Sequence, residues 1–113
     1  MNREIAIKSS LRGLKAYELS CSNPKYIMCC VHGIGEYFLR YERMSEILEE
    51  YGIKMIGMDL RGHGATEGKP GHCAPRTDVL SDIDGMLEFA MENYPRLPII
   101  LYGHSMGGNI GLD

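Results

Sequence analysis

Three short apolar runs, 26–31, 53–58 and 97–102, alternate with two segments of helical periodicity, and this order constrains the chain more than any other feature. Continuous apolar runs of this length suit strands buried on both faces of a sheet. Segment 41–51 places Met44, Ile47, Leu48 and Tyr51 on one helical face, and Gly52 follows where a C-terminal cap belongs. Segment 77–93 does the same with Val79, Ile83, Leu87, Ala90 and Tyr94 before Pro95 ends it. Strand, helix, strand, helix, strand predicts right-handed crossovers and a parallel core sheet with helices on both faces. Ahead of it, Ile5 and Ile7 alternate with polar neighbours and Leu11-Arg12-Gly13 turns the chain into 14–19, so an antiparallel hairpin is expected at the edge. The expected fold class is α/β, with a mixed but mostly parallel sheet.

In such a sheet the loops after the core strands leave from one edge, where ligands bind. The third corner, Gly103-His104-Ser105-Met106-Gly107, sets a serine between two glycines where a strand turns into a helix. A serine there is lifted clear of the sheet, and the flanking glycines let strand and helix pass closely, which is the geometry of a nucleophile elbow. Acyl transfer also needs amide donors for the developing oxyanion. The Met106 N–H, at the start of a helix, is a natural first donor, and the Ile34 N–H in the loop His32-Gly33-Ile34-Gly35 is the expected second.

Other function classes find less support. Twelve basic and fifteen acidic residues give a net charge of −3 with neither sign clustered, which argues against a nucleic-acid groove. No apolar stretch reaches the roughly 18 residues of a membrane span, and the N-terminus lacks a signal-peptide core, so a cytoplasmic protein without an integral membrane segment is expected. The four cysteines (Cys21, Cys29, Cys30, Cys73) show neither zinc nor CxxC spacing. Adjacent on one strand, Cys29 and Cys30 are expected to pack on opposite faces as small apolar residues. Asp78, Asp82 and Asp84 read as a solvated acidic first turn favoured by the helix dipole, and Asp59 and Arg61 as braces of a loop beside the site. No metal or organic cofactor is implied.

His32-Gly33-Ile34-Gly35-Glu36, Asp59-Leu60-Arg61-Gly62-His63-Gly64 and Gly103-His104-Ser105-Met106-Gly107-Gly108 occur in the order seen in α/β-hydrolases. Over nearly its whole length the chain resembles the monoacylglycerol lipase and lysophospholipase group, also called serine aminopeptidase-like hydrolases. The resemblance implies an α/β-hydrolase core and ester hydrolysis through an acyl-enzyme. It assigns Ser105 as nucleophile and the Ile34 and Met106 amides as oxyanion hole. His32, Gly33, Gly103, His104 and Gly107 fall in supporting positions, and Glu36 and Arg40 match a pair that braces the oxyanion loop. The implied substrate is a small ester or lipid.

One departure stands out. In that fold the triad runs Ser, then Asp or Glu, then His. Here all four histidines (His32, His63, His72, His104) precede Ser105, and only eight residues follow it. The expectation is therefore residues 1–113 as the N-terminal portion of a single domain. The cap, triad acid and base then come from a C-terminal continuation or a second polypeptide, and the fragment alone is nearly inert. Esterase, thioesterase or peptidase activity on the same fold, and a non-catalytic binding module, remain alternatives.

Overall fold

The sheet is assembled from strands of unequal reach, and their register fixes where the loops emerge. The computed structural model describes residues 3–7, 9, 14–32, 37–59 and 76–103. Five strands, β1 (Arg3–Ile5), β2 (Ala16–Glu18), β3 (Tyr26–Val31), β4 (Ile53–Met58) and β5 (Ile99–Gly103), lie in the order β1-β2-β4-β3-β5. The β3, β4 and β5 strands run parallel, whereas β1 and β2 form the expected antiparallel hairpin against β4. A 3-10 turn (Phe38–Tyr41) leads into helix α1 (Glu42–Glu49), and helix α2 (Arg76–Asn93) precedes β5. The hairpin turn at 11–13 and the segment 60–75 lie outside the described residues.

Alternation along β3 builds two cores. Ile27, Cys29 and Val31 face Val79, Ile83, Met86 and Ala90 of α2. Cys30 and the partly buried Met28 face the other layer, with Phe38, Met55 and Leu48. Each fully buried Val, Ile or Met side chain contributes about 1.5–3 kcal/mol, so both layers are needed to hold the sheet. The hairpin is clasped to the residue that follows α2 by Glu18, a buried carboxylate on β2. It accepts the Tyr94 hydroxyl at 3.0 Å and pairs with the Arg3 guanidinium at 2.6 Å. Burial, followed by that bond to Glu18, pushes the Tyr94 phenol up to about 12.

Gly52 has φ +73°, the left-handed conformation that stops α1 and turns the chain into β4. Its carbonyl accepts the Lys25 and Tyr26 amides, which starts β3 beside β4.

Three expectations need correction. The buried face of α1 is formed by Met44, Ser45 and Leu48, while Ile47 is 60 % and Tyr51 66 % exposed. Successive residues on a helix are separated by roughly 100°, so Ile47 falls off the stripe through Leu48. Tyr51 lies beyond the end of α1, where helical spacing no longer applies. Next, β5 is not buried on both faces: among the described residues it pairs with β3 alone, and Ile100 and Leu101 are 40 % and 36 % exposed. Apolar composition reports what a strand is able to bury, not which neighbours it has. Finally, Asp82 is not solvated but buried, and it accepts the Ser9 hydroxyl at 2.6 Å. That bond links the segment after β1 to α2, while Asp84 remains exposed.

Cys29 and Cys30 are fully buried on opposite faces. Burial pushes the Cys29 thiol up to about 12 and raises Cys30 as well, with the neighbouring Cys29 adding to the latter shift. Both thiols are therefore expected to resist iodoacetamide at pH 8 until the chain is unfolded, as read by mass spectrometry. Because the folded values lie above those of the unfolded chain, the native state holds these protons more tightly. This contribution to stability is complete below about pH 9 and is lost as pH rises toward 12, so the urea midpoint falls across that window.

Candidate active site

The three core strands end level with one another. Val31 pairs with Met58 on one side and with Gly103 on the other. Neighbouring strands lie about 4.8 Å apart, so the loops that begin at His32, Asp59 and His104 leave from a single short stretch of sheet edge. His32 and Asp59 are both buried there, and Gly103 is half-buried at the end of β5. This is the edge at which open parallel sheets bind ligands.

Asp59 is held by its own backbone, since its amide donates to the Lys15 carbonyl at 2.8 Å. Its carboxylate reaches across to the next strand connection, where Oδ1 accepts the Phe38 amide at 2.8 Å. Bracing by Asp59 is thus observed, and its target is the residue that begins the 3-10 turn. Arg40 is exposed on that turn. Its guanidinium lies 5.9 Å from the centre of the Tyr37 ring, and its amide donates to the Tyr37 carbonyl at 3.2 Å.

Sequence reasoning missed the seat beneath this turn. Phe38 is fully buried, and its ring lies directly over Gly57 of β4, where a Cβ would come within 2.3 Å of it. Tyr17 stacks on Phe38 at 6.4 Å between ring centres, Tyr41 follows at 6.3 Å, and Tyr102 meets Tyr41 edge-on at 6.5 Å. The array thus runs from β2 across the turn to β5. Glycine inside an otherwise apolar strand was the available signal, because it marks a close approach of another group.

Of the sequence-derived site residues, the structure brings His32 and Gly103 to this edge, while Arg40 lies exposed on the 3-10 turn. Ser105, Ile34, Met106, Gly33, Glu36, His104 and Gly107 lie outside the described residues, as do Arg61, His63, His72 and Cys73. Among the described residues no three metal-ligating side chains gather into a cluster, and no helix is long and apolar enough to cross a membrane.

A parallel β4-β3-β5 core with helices on both faces and a hairpin at the edge is an α/β-hydrolase core, incomplete in this chain. A thermostable carboxyl esterase from Bacillus coagulans, solved in complex with glycerol, matches it with a TM-score of 0.83 and 30 % identity, over 96 % of this chain and 38 % of the esterase. The chain belongs to the family described as Serine aminopeptidase, S33 (Hydrolase_4), whose sequence profile matches residues 22–113. It is 37 % identical over 94 residues to the monoglyceride lipase of Homo sapiens, covering 79 % of this chain and 29 % of that protein. It is also 32 % identical over 89 residues to the monoacylglycerol lipase of Mycolicibacterium smegmatis, covering 79 % and 32 %. The chain therefore spans about a third of the length of these curated relatives.

Proposed function

We propose that the chain carries the nucleophile half of a serine hydrolase that cleaves carboxylic esters of the monoacylglycerol or lysophospholipid type. The observation that carries this reading is the level ending of β3, β4 and β5, with the Ile34 loop and the Ser105 corner continuing from adjacent strands. Similarity to two monoacylglycerol lipases and a carboxyl esterase supports the substrate class.

In this mechanism Ser105 Oγ bonds to the acyl carbonyl carbon while a histidine base takes its proton. The carbonyl electron pair moves onto oxygen, where the Ile34 and Met106 amides stabilise it. Collapse expels the alcohol, which takes the proton back from the base, and water repeats the sequence to release the acid. No histidine follows Ser105 in these 113 residues. In this reading a histidine base and a carboxylic acid from outside these 113 residues complete the triad. The reading places the enzyme in the cytoplasm, in keeping with Cys21, Cys29 and Cys30, which form no disulfide among the described residues.

The test is intact-mass spectrometry after treatment with a fluorophosphonate. The complete hydrolase is expected to gain one adduct, mapped to Ser105, while the 113-residue chain alone gains none. A complete protein that stays unlabelled at Ser105 overturns the reading in favour of a non-catalytic module.

A further inference from the structure

We infer that Asp59 is a positioning residue for the oxyanion loop, acting through the Phe38 amide; this rests on the serine-hydrolase reading above. Asp59 is only 3 % exposed, and a buried carboxylate is costly unless hydrogen bonds compensate it. One of its bonds goes to a main-chain amide 21 residues earlier. That amide opens the 3-10 turn, and among the described residues the Tyr37 side chain gives it no cap. Helical turns leave their first N–H groups without intrahelical partners, and a capping side chain ordinarily comes from the residue just before. Here the cap comes from the end of the neighbouring strand.

The position of this bond gives it a role beyond stability. Gly57 lies in β4 and Asp59 directly follows that strand, and both meet Phe38. Gly57 seats the Phe38 ring and Asp59 holds the Phe38 amide, so residue 38 is fixed at two points by β4 and the residue that follows it. On the other side of the loop, His32 is buried directly after β3. Only residues 33–36 and Tyr37 separate these two anchors, and the Ile34 amide belongs to that short span. An oxyanion donor acts by standing where charge develops, and a misplacement of about 1 Å is able to cost 10²-fold in rate. Releasing the Phe38 amide therefore loosens the downstream anchor of the donor without touching substrate.

The experiment compares Asp59→Ala and Asp59→Asn in the complete hydrolase. It measures kcat and KM on a short p-nitrophenyl ester, and affinity for a boronic acid that forms a tetrahedral adduct with serine. Asp59→Ala is expected to lower kcat by about 10–100-fold with KM within about threefold, and to weaken the boronic acid by a similar factor. Asp59→Asn keeps an acceptor oxygen in place and is expected to recover kcat to within about fivefold of the parent. A folded Asp59→Ala protein with parental kcat, or one whose kcat falls while boronic acid affinity holds, overturns the assignment. If Asp59→Ala does not fold, Asp59→Glu takes its place, since it keeps the charge but moves the acceptor by one methylene. Its kcat is then expected to lie about tenfold or more below that of Asp59→Asn, and equal values overturn the assignment. Fluorophosphonate labelling of Ser105 in the parent separates the two levels. An unlabelled parent removes the hydrolase reading itself, whereas a labelled parent with indifferent Asp59 variants removes only the role of Asp59.

Discussion

On the proposed serine-hydrolase reading, replacing Ser105 with alanine in the complete hydrolase is expected to lower kcat for ester cleavage by roughly 10⁶-fold, the scale of loss when the nucleophile of a serine triad is removed. What survives is the contribution of substrate binding and the oxyanion donors, about 10³–10⁴-fold over the reaction in water. Because the hydroxyl reacts but supplies little ground-state affinity, inhibition by a non-reactive substrate analogue stays within about threefold of the parent. The check is a steady-state assay on p-nitrophenyl butyrate and on a monoacylglycerol, with fluorophosphonate labelling alongside. A Ser105→Ala protein that cleaves both esters at the parental rate removes the nucleophile assignment. Loss on one ester alone contradicts a shared acyl-enzyme.

Gly57→Ala is expected to be the most damaging single-methyl change in the described sheet. A Cβ built on Gly57 lies 2.3 Å from both Cδ1 and Cε1 of Phe38 and 2.8 Å from Cγ, distances that no carbon pair tolerates. The ring has no free direction, since it is fully buried and flanked by Tyr17 and Tyr41. Either β4 moves or Phe38 leaves its seat, and overpacking of this kind costs about 1–3 kcal/mol or more. At about 4–8 °C per kcal/mol for roughly 100 residues, the melting midpoint of this chain is expected to fall by about 4–24 °C. Phe38→Ala alone costs about 3–5 kcal/mol through the cavity it leaves. The two changes share one contact, so they are not additive. In a Phe38→Ala background the alanine at 57 finds room, and its added cost drops below about half its value in the parent. Additive costs across the double-mutant cycle, measured by thermal denaturation, sink the close-approach account.

How much of this was legible in the sequence follows from how local each feature is. The strands at 26–31 and 53–58, the helix over 77–93 and the left-handed Gly52 emerged at or within a residue of their expected places. Each is written in a run, a period or one backbone preference. Phe38 on Gly57 and the Phe38 amide on Asp59 join residues about twenty positions apart, and no periodicity encodes that pairing. Asp82 was misread for a related reason. A carboxylate near the start of a helix satisfies the dipole in water, and the Ser9 hydroxyl that meets it in the buried state comes from 73 residues earlier in the chain. The exposure of Ile100 and Leu101 on β5 depends on sheet order, which alternation along one strand does not reveal. For the site, the motifs named Ser105, Ile34 and Met106, and the described residues supply the flanks from which those motifs continue.

The aromatic array has a consequence for observation. The chain contains no tryptophan, so its near-ultraviolet signal comes from seven tyrosines and two phenylalanines. Three of those tyrosines and one phenylalanine form the array Tyr17-Phe38-Tyr41-Tyr102. Rings held in fixed contact generate near-ultraviolet circular dichroism, which disappears when packing loosens even if the backbone stays folded. The anchor of the loop that carries Ile34 thus has its own optical signature, and spectra in the near and far ultraviolet separate unseating of Phe38 from loss of the sheet.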